Sequence, residues 1–136
     1  MENFTLHPQL EADTFFIKPL SLSEVRLMNN AHFPWLILVP KHPDLIELYD
    51  LTDVDQRMLL REITALTKYM KHHTQCDKIN IASFGNVVPQ LHIHLIARFT
   101  TDLAWPKSAL GAQSQPYEEQ EKIVEIWQHR LHNIVI

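Results

Sequence analysis

The chain has 136 residues, which suits one compact domain. Its hydrophobic fraction of 46% against 21% charged excludes disorder as the default state. A net charge of −4, from twelve basic and sixteen acidic residues, leaves no basic excess for a nucleic-acid backbone and speaks against a nucleic-acid partner.

The start, Met1-Glu2-Asn3-Phe4, is acidic and carries no apolar run, so it does not read as a signal peptide. Residues 1–12 are polar with one proline and are expected to lead loosely into the first strand. Thr14-Phe15-Phe16-Ile17-Lys18 is aromatic and β-branched, hence a strand, and Pro19 ends it. A second strand is expected in the later half of residues 21–28, stopping at Asn29-Asn30. Trp35-Leu36-Ile37-Leu38-Val39 is a continuous apolar run closed by Pro40, the pattern of a central strand buried on both faces. Asp44 is placed to cap a short helical turn from Leu45 to Tyr49.

Thr52 opens the clearest helix, with Asp53 and Asp55 in its first turn, where the helix dipole favours acids. Val54, Met58, Leu59, Ile63, Leu66 and Met70 are spaced for one core-facing side. Lys68, Lys71, His72 and His73 gather at the end that favours cations. Cys76 is the only cysteine, so no internal disulfide forms, which fits a reducing compartment. Lys78-Ile79-Asn80-Ile81-Ala82 alternates as a strand, and Ser83 to Asn86 is the turn after it. Gly85, one of only two glycines, marks a place where the backbone needs freedom or a ligand needs close approach.

From Gln90 to Leu95 polar and apolar residues alternate strictly. On a strand this puts Gln90, His92 and His94 on one face and Leu91, Ile93 and Leu95 on the other. The two imidazoles are then about 7 Å apart, from roughly 3.3 Å of rise per residue. After Arg98, residues 99–116 show no sustained period but carry Trp105-Pro106 and Gly111, and long irregular loops are often functional. Residues 117–134 return to helical spacing through Ile123, Ile126, Trp127 and Leu131. No stretch approaches the ~18 apolar residues of a membrane span, so a cytoplasmic protein without a membrane partner is expected. The count of about five strands, mostly joined as antiparallel neighbours, and two or three helices gives an α+β fold in a single domain over 1–136.

Three readings of His92 and His94 stay open on the residues alone. They are ordinary polar residues on a solvent-facing side. Or they hold a metal, with a remote ligand such as Asp77, Asp102 or His32, since no acid flanks the strand between Lys78 and Thr101. Or one is a nucleophile, because neutral imidazole attacks phosphorus without an activating base, and the other protonates the leaving group. The turn at Gly85-Asn86-Val87 can offer backbone N–H groups and an amide to a phosphate. The other seven histidines fall in turns or polar helix positions and are expected to face solvent without a role.

The run Gln90 to Ile96 resembles the histidine-triad (HIT) motif, in which histidines alternate with apolar residues. The likeness extends to Asn80, Gly85-Asn86-Val87-Val88 and Arg98, and to Leu36-Ile37-Leu38-Val39-Pro40-Lys41 as the family's central strand. It covers residues 14–106 as the core, with the helix at 117–134 beyond. The resemblance implies a five-stranded antiparallel sheet with two main helices, a homodimer, and a small-molecule nucleotide cleaved at its α-phosphate. Phosphoramidates, dinucleoside polyphosphates and adenylates are the substrate types implied, with no metal or other cofactor needed for the covalent step. By position His92 is the nucleophile and His94 the third motif histidine, expected to give the leaving group its proton. Asn86 matches the amide that contacts phosphate, with Gly85 and Val87 beside it, and Asn29 matches an asparagine near the nucleoside pocket. Trp105 lies where some members send C-terminal residues towards a partner's site. Two departures stand out. Gln90 replaces the first histidine, where it can exchange hydrogen bonds with the site but cannot carry a proton. Trp35 stands where other members place a further histidine. Both departures favour the alternative of a nucleotide-binding or sensing module with weak or no catalysis.

Overall fold

The computed structural model describes residues 3–136. Met1 and Glu2, read above as part of a start without a leader, lie outside them. Five strands form one antiparallel sheet: β1 (Thr14–Pro19), β2 (Ser23–Met28), β3 (Trp35–Pro40), β4 (Lys78–Ala82) and β5 (Ile93–Arg98). Their spatial order is β1-β2-β3-β5-β4. Three helices accompany it: α1 (Pro8–Asp13), α2 (Asp53–Thr74) and α3 (Gln120–Arg130). The class is α+β, as the strand count implied.

β3 lies in the middle of the sheet, and all six of its residues are buried. Leu36 and Leu38 face a large core with Leu59, Leu66 and Met70 of α2 and Trp127 of α3. Trp35, Ile37 and Val39 face a smaller core with Leu10, Phe33, Val88, Ile96 and Ala109. Each fully buried aliphatic of this size stabilises the fold by about 1.5–3 kcal/mol. The histidine strand divides the same way. Leu91, Ile93, Leu95 and Ala97 belong to the large core, while Val88 and Ile96 belong to the smaller one.

α2 begins as its sequence dictates. The Thr52 hydroxyl accepts from the Asp55 N–H at 3.1 Å. Gln75 closes it in the left-handed region at φ 56°, its N–H bonded to Lys71 O. The buried stripe is Leu59, Glu62, Leu66 and Met70. Stepped back four residues from Leu59, that stripe meets Asp55, which leaves Val54 exposed rather than on the core side. Glu62 is fully buried, and its carboxylate accepts the Leu22 N–H at 2.8 Å, tying α2 to the start of β2.

Four local expectations are corrected. The stretch before β1 is not loose: Pro8 starts α1 at a position where a missing N–H costs nothing, and His7 Nδ1 caps it by accepting from Gln9 N at 3.0 Å. Six residues are too few for periodicity to reveal. The helical turn after Asp44 is a single 3-10 turn at Leu48–Asp50, held by Asp50 Oδ2 accepting from Ile46 N and Glu47 N. The ladder of β5 starts at Ile93, so Gln90 to His92 run outside it. The last helix is shorter than 117–134, spanning Gln120–Arg130. Among the described residues, no helix is long and apolar enough to cross a membrane.

Candidate active site

His94 sits in the ladder between Ile37 of β3 and Ala82 of β4. From Ala82 the chain leaves through residues 83–91 and returns at His92, so one loop starts and ends beside the histidine pair. The two rings are 4.9 Å apart, centroid to centroid, at 70° to each other. That is closer than the strand spacing implied, and His92 precedes the ladder. His92 is 6% exposed and His94 5%. The reading of a solvent-facing, decorative pair does not survive this burial.

Each histidine has one ring nitrogen committed. His92 Nδ1 lies 2.7 Å from the backbone oxygen of Gln90. A carbonyl only accepts, so Nδ1 carries the hydrogen and Nε2 keeps a lone pair. His94 Nδ1 accepts from the Trp35 indole N–H at 3.1 Å. An indole only donates, so His94 carries its hydrogen on Nε2. The tautomers, assigned from these partners, are complementary: one Nε2 is a base and the other a donor. Burial, and then the neighbouring His92, push His94 down to about 4. His94 is therefore neutral near pH 7, with its hydrogen on Nε2.

The other candidates fall at different distances from this pair. Gly85 adopts φ +72°, in the left-handed region, and turns the loop back towards β5. Asn86 and Val87 follow it, both exposed. Gln90 points elsewhere. Its Oε1 accepts from His7 N at 2.8 Å and its Nε2 donates to Thr5 O at 2.9 Å, so the side chain clamps the N-terminal segment. Asn29 lines a cavity of about 300 Å³ together with Asn30, Trp35 and Gly111. Its Oδ1 already accepts from Tyr117 N at 2.9 Å. Trp105 stands at the far end of β5, against the guanidinium of Arg98 at 5.7 Å.

Arg98, quoted in the family likeness, is wholly engaged. It is 1% exposed and bonds both oxygens of Asp102 at 2.7 and 3.0 Å and Asn80 Oδ1 at 2.9 Å. The guanidinium holds the Asp102 carboxyl well below its ordinary range. Asp77 accepts from Thr100 N. Two of the remote acids considered as metal ligands are thus committed elsewhere. Among the described residues no cluster of three or more His, Cys, Asp or Glu is placed for a metal ion. Of the histidines expected to be idle, His7 caps α1 and His42 lies 3.3 Å from Asp55.

Two aromatic residues complete the site: Trp35, singled out in the sequence only as a departure from the family pattern, and Phe84. Trp35 is a diagonal neighbour of His94, because Ile37 pairs with His94 and Trp35 with Ile96. Phe84, 55% exposed, sits 6.2 Å from the His94 ring at 61°. The signals for Trp35 were its place in the family pattern and an indole on the β3 face that pairs with the histidine face. Phe84 gave none beyond its nearness to Gly85.

The paired-histidine site thus lies at the start of β5, between β3 and β4, in an antiparallel α+β sheet. The HIT domain family model matches residues 9–101, and the chain belongs to that family. Three solved structures of bacterial histidine triad proteins align over nearly the whole chain. The one from Bradyrhizobium japonicum is 42% identical, with TM-score 0.90 and 98% of each chain covered. That from Sinorhizobium meliloti is 40% identical, with TM-score 0.92 and 99% of each covered. That from Marinobacter aquaeolei is 40% identical, with TM-score 0.91, covering 97% of this chain and 98% of its own. A histidine triad nucleotide-binding protein from Sulfolobus tokodaii, 13% identical at TM-score 0.67, shares the fold alone. Among curated proteins none matches the chain.

Proposed function

We propose that the protein is a cytoplasmic, nucleotide-binding enzyme that cleaves its substrate at the α-phosphate through a nucleotidyl-histidine intermediate. The observation that carries this is the pair of complementary tautomers. His92 Nε2 bears a lone pair at a nearly buried position, and its Nδ1–H is held by the Gln90 carbonyl. That carbonyl also stabilises the positive charge the ring takes up when Nε2 bonds to phosphorus. His94 Nε2–H is available to an oxygen of the phosphoryl group. Asn86 and the backbone at Gly85 and Val87 would meet the phosphate. The cavity at Asn29 and Trp35 would take the nucleoside, and its 300 Å³ is at the low end of small-molecule sites. Water then attacks the adduct and releases a nucleoside monophosphate.

His92→Ala is expected to abolish turnover with the fold unchanged by circular dichroism. Brief exposure of the wild type to a labelled nucleotide conjugate should leave label on His92, found by peptide mapping. Full activity of His92→Ala would overturn the mechanism.

A second reading, a binding or sensing module with little turnover, is favoured by Gln90. Its amide is spent on Thr5 and His7, so this position lends the histidine pair no side-chain group. Tight nucleoside monophosphate binding by calorimetry, with no adduct and no turnover across phosphoramidates, dinucleoside polyphosphates and nucleotide sugars, would select it.

The working form we propose is a homodimer. β4 is an outer strand of the sheet, with Ile81 55% exposed on it, and open strand edges invite pairing. Light scattering should give twice the 16.0 kDa chain mass, and a single-chain mass would remove the dimer.

A further inference from the structure

We infer that Trp35 is a positioning residue that fixes His94 as a neutral donor, and that it thereby restricts the site to leaving groups that depart as anions. The inference rests on the nucleophilic reading of His92 given above.

Trp35 has a single polar atom, and that atom can only donate. It is aimed at His94 Nδ1 from 3.1 Å. The indole is 4% exposed and wedged edge-on between Phe33, at 6.3 Å, and His94, at 5.6 Å, so its orientation is set by packing. A second proton on His94 would go to Nδ1. It would set two N–H groups head to head at a position where both side chains are buried. Nothing packed against His94 compensates. β3 offers Ile37 and β4 offers Ala82 as register partners, the loop offers Phe84, and the titratable neighbour is His92. No carboxylate faces it from these elements. Burial lowers its proton affinity in the same direction.

The consequence lies with the leaving group. His92 Nε2 forms a bond to the α-phosphorus, and the bridging P–O bond breaks with its electron pair left on oxygen. His94 Nε2–H can share its hydrogen with that oxygen but keeps the proton, because imidazole without a second proton is not an acid near pH 7. The leaving oxygen therefore departs as an anion. Water later bonds to phosphorus, the P–N electron pair returns to Nε2, and the water proton goes to solvent. A phosphate, with a second pKa of about 6, or a carboxylate, at about 4, leaves readily this way. An amine does not. Its conjugate acid lies at about 10, and its nitrogen must take up a proton before the P–N bond breaks. The substrate class is then a nucleoside 5′-phosphate joined as an anhydride to phosphate or carboxylate, with phosphoramidates poor substrates.

Two measurements test this. The first reads the wild-type imidazoles by 15N-edited NMR. His94 should hold its hydrogen on Nε2 and remain neutral at about pH 5.5, below the ordinary histidine range. In Trp35→Phe, which keeps an aromatic ring but removes the donor, both tautomers should appear and the titration should move up. An identical tautomer and titration in Trp35→Phe would overturn the positioning role. The second compares diadenosine triphosphate with adenosine 5′-phosphoromorpholidate. The anhydride should be favoured by about a hundredfold or more, in kcat rather than KM. Trp35→His, whose ring can accept as well as donate, should narrow that gap by about tenfold or more. Parity in the wild type, or an unchanged gap in Trp35→His, would overturn the restriction. Absence of adduct and turnover with both substrates overturns the nucleophilic reading and the restriction with it, whereas the NMR arm judges the positioning role without any turnover.

Discussion

His94 gives the site a proton balance that can be read without substrate. Its folded proton affinity is depressed to about 4, while an unfolded histidine titrates near 6.5. The unfolded chain therefore binds more protons between these values, and stability rises with pH across that window. Above about 6.5 the contribution is fully present, and it is lost as pH falls towards 4. Chemical denaturation of the wild type at pH values through this window should show the slope, on the order of 3 kcal/mol at most for a group so nearly buried. His94→Gln should remove that part of the slope and leave the rest. Asp102 works with the opposite chemistry and the same sign. Its carboxyl is held low by Arg98, so its contribution is present above the unfolded value of about 3.9 and lost below it. Asp102→Ala strands a guanidinium that is 1% exposed with Asn80 as its remaining hydrogen-bond partner. A loss of about 3–5 kcal/mol in denaturation is expected.

At the level of elements, α2 is fastened to the sheet by more than its apolar stripe. Glu62 places a carboxyl in the interior, where desolvation raises its proton affinity. The Leu22 N–H, the Ser23 groups and Lys41 counter this in part. A raised affinity means stability that is full at low pH and declines as pH rises through the folded value. Glu62→Gln keeps an acceptor for Leu22 N–H and cannot ionise. It is expected to flatten that decline and to be more stable than wild type at about pH 8, by about 1 kcal/mol, in parallel urea titrations. The elements most open to reading from sequence were those whose pattern is local. β3 announced itself by an unbroken apolar run, and α2 by Thr52, two acids and repeated spacing. The histidine strand does show two faces even though its ladder starts at Ile93, since alternation survives in an extended chain outside the ladder. The short α1 was missed because six residues carry too little periodicity, although Pro8 stood at its first position.

Across the whole molecule, what the sequence hid is what only chain pairing creates. Trp35 and His94 are 59 residues apart and meet because β3 and β5 are neighbours. Gln90 and His7 are 83 apart. In the sequence Gln90 was an amide on the histidine face, with a role in the site implied by position. In the fold, its side chain serves the N-terminal segment and only its carbonyl serves His92. Arg98 and Asn80 matched a site segment by likeness but are joined to each other, and Arg98 to Asp102, at the opposite end of β5. Gln90→Ala should free residues 3–7 while leaving the His92 Nδ1 partner in place, because that partner is backbone. Faster amide exchange confined to that segment, with a loss of about 1–2 kcal/mol in stability, is the expected outcome by exchange mass spectrometry and denaturation.

The clamp on Thr5 and His7 also bears on how the protein is handled. A purification tag or fusion partner joined ahead of residue 3 is tethered a few residues from the segment that Gln90 holds. Any pull or crowding there is passed to the residue whose carbonyl sets the ring of His92. Preparations carrying the tag at the other end leave this linkage untouched, and a difference in rate between the two would report on the linkage rather than on the purity of either.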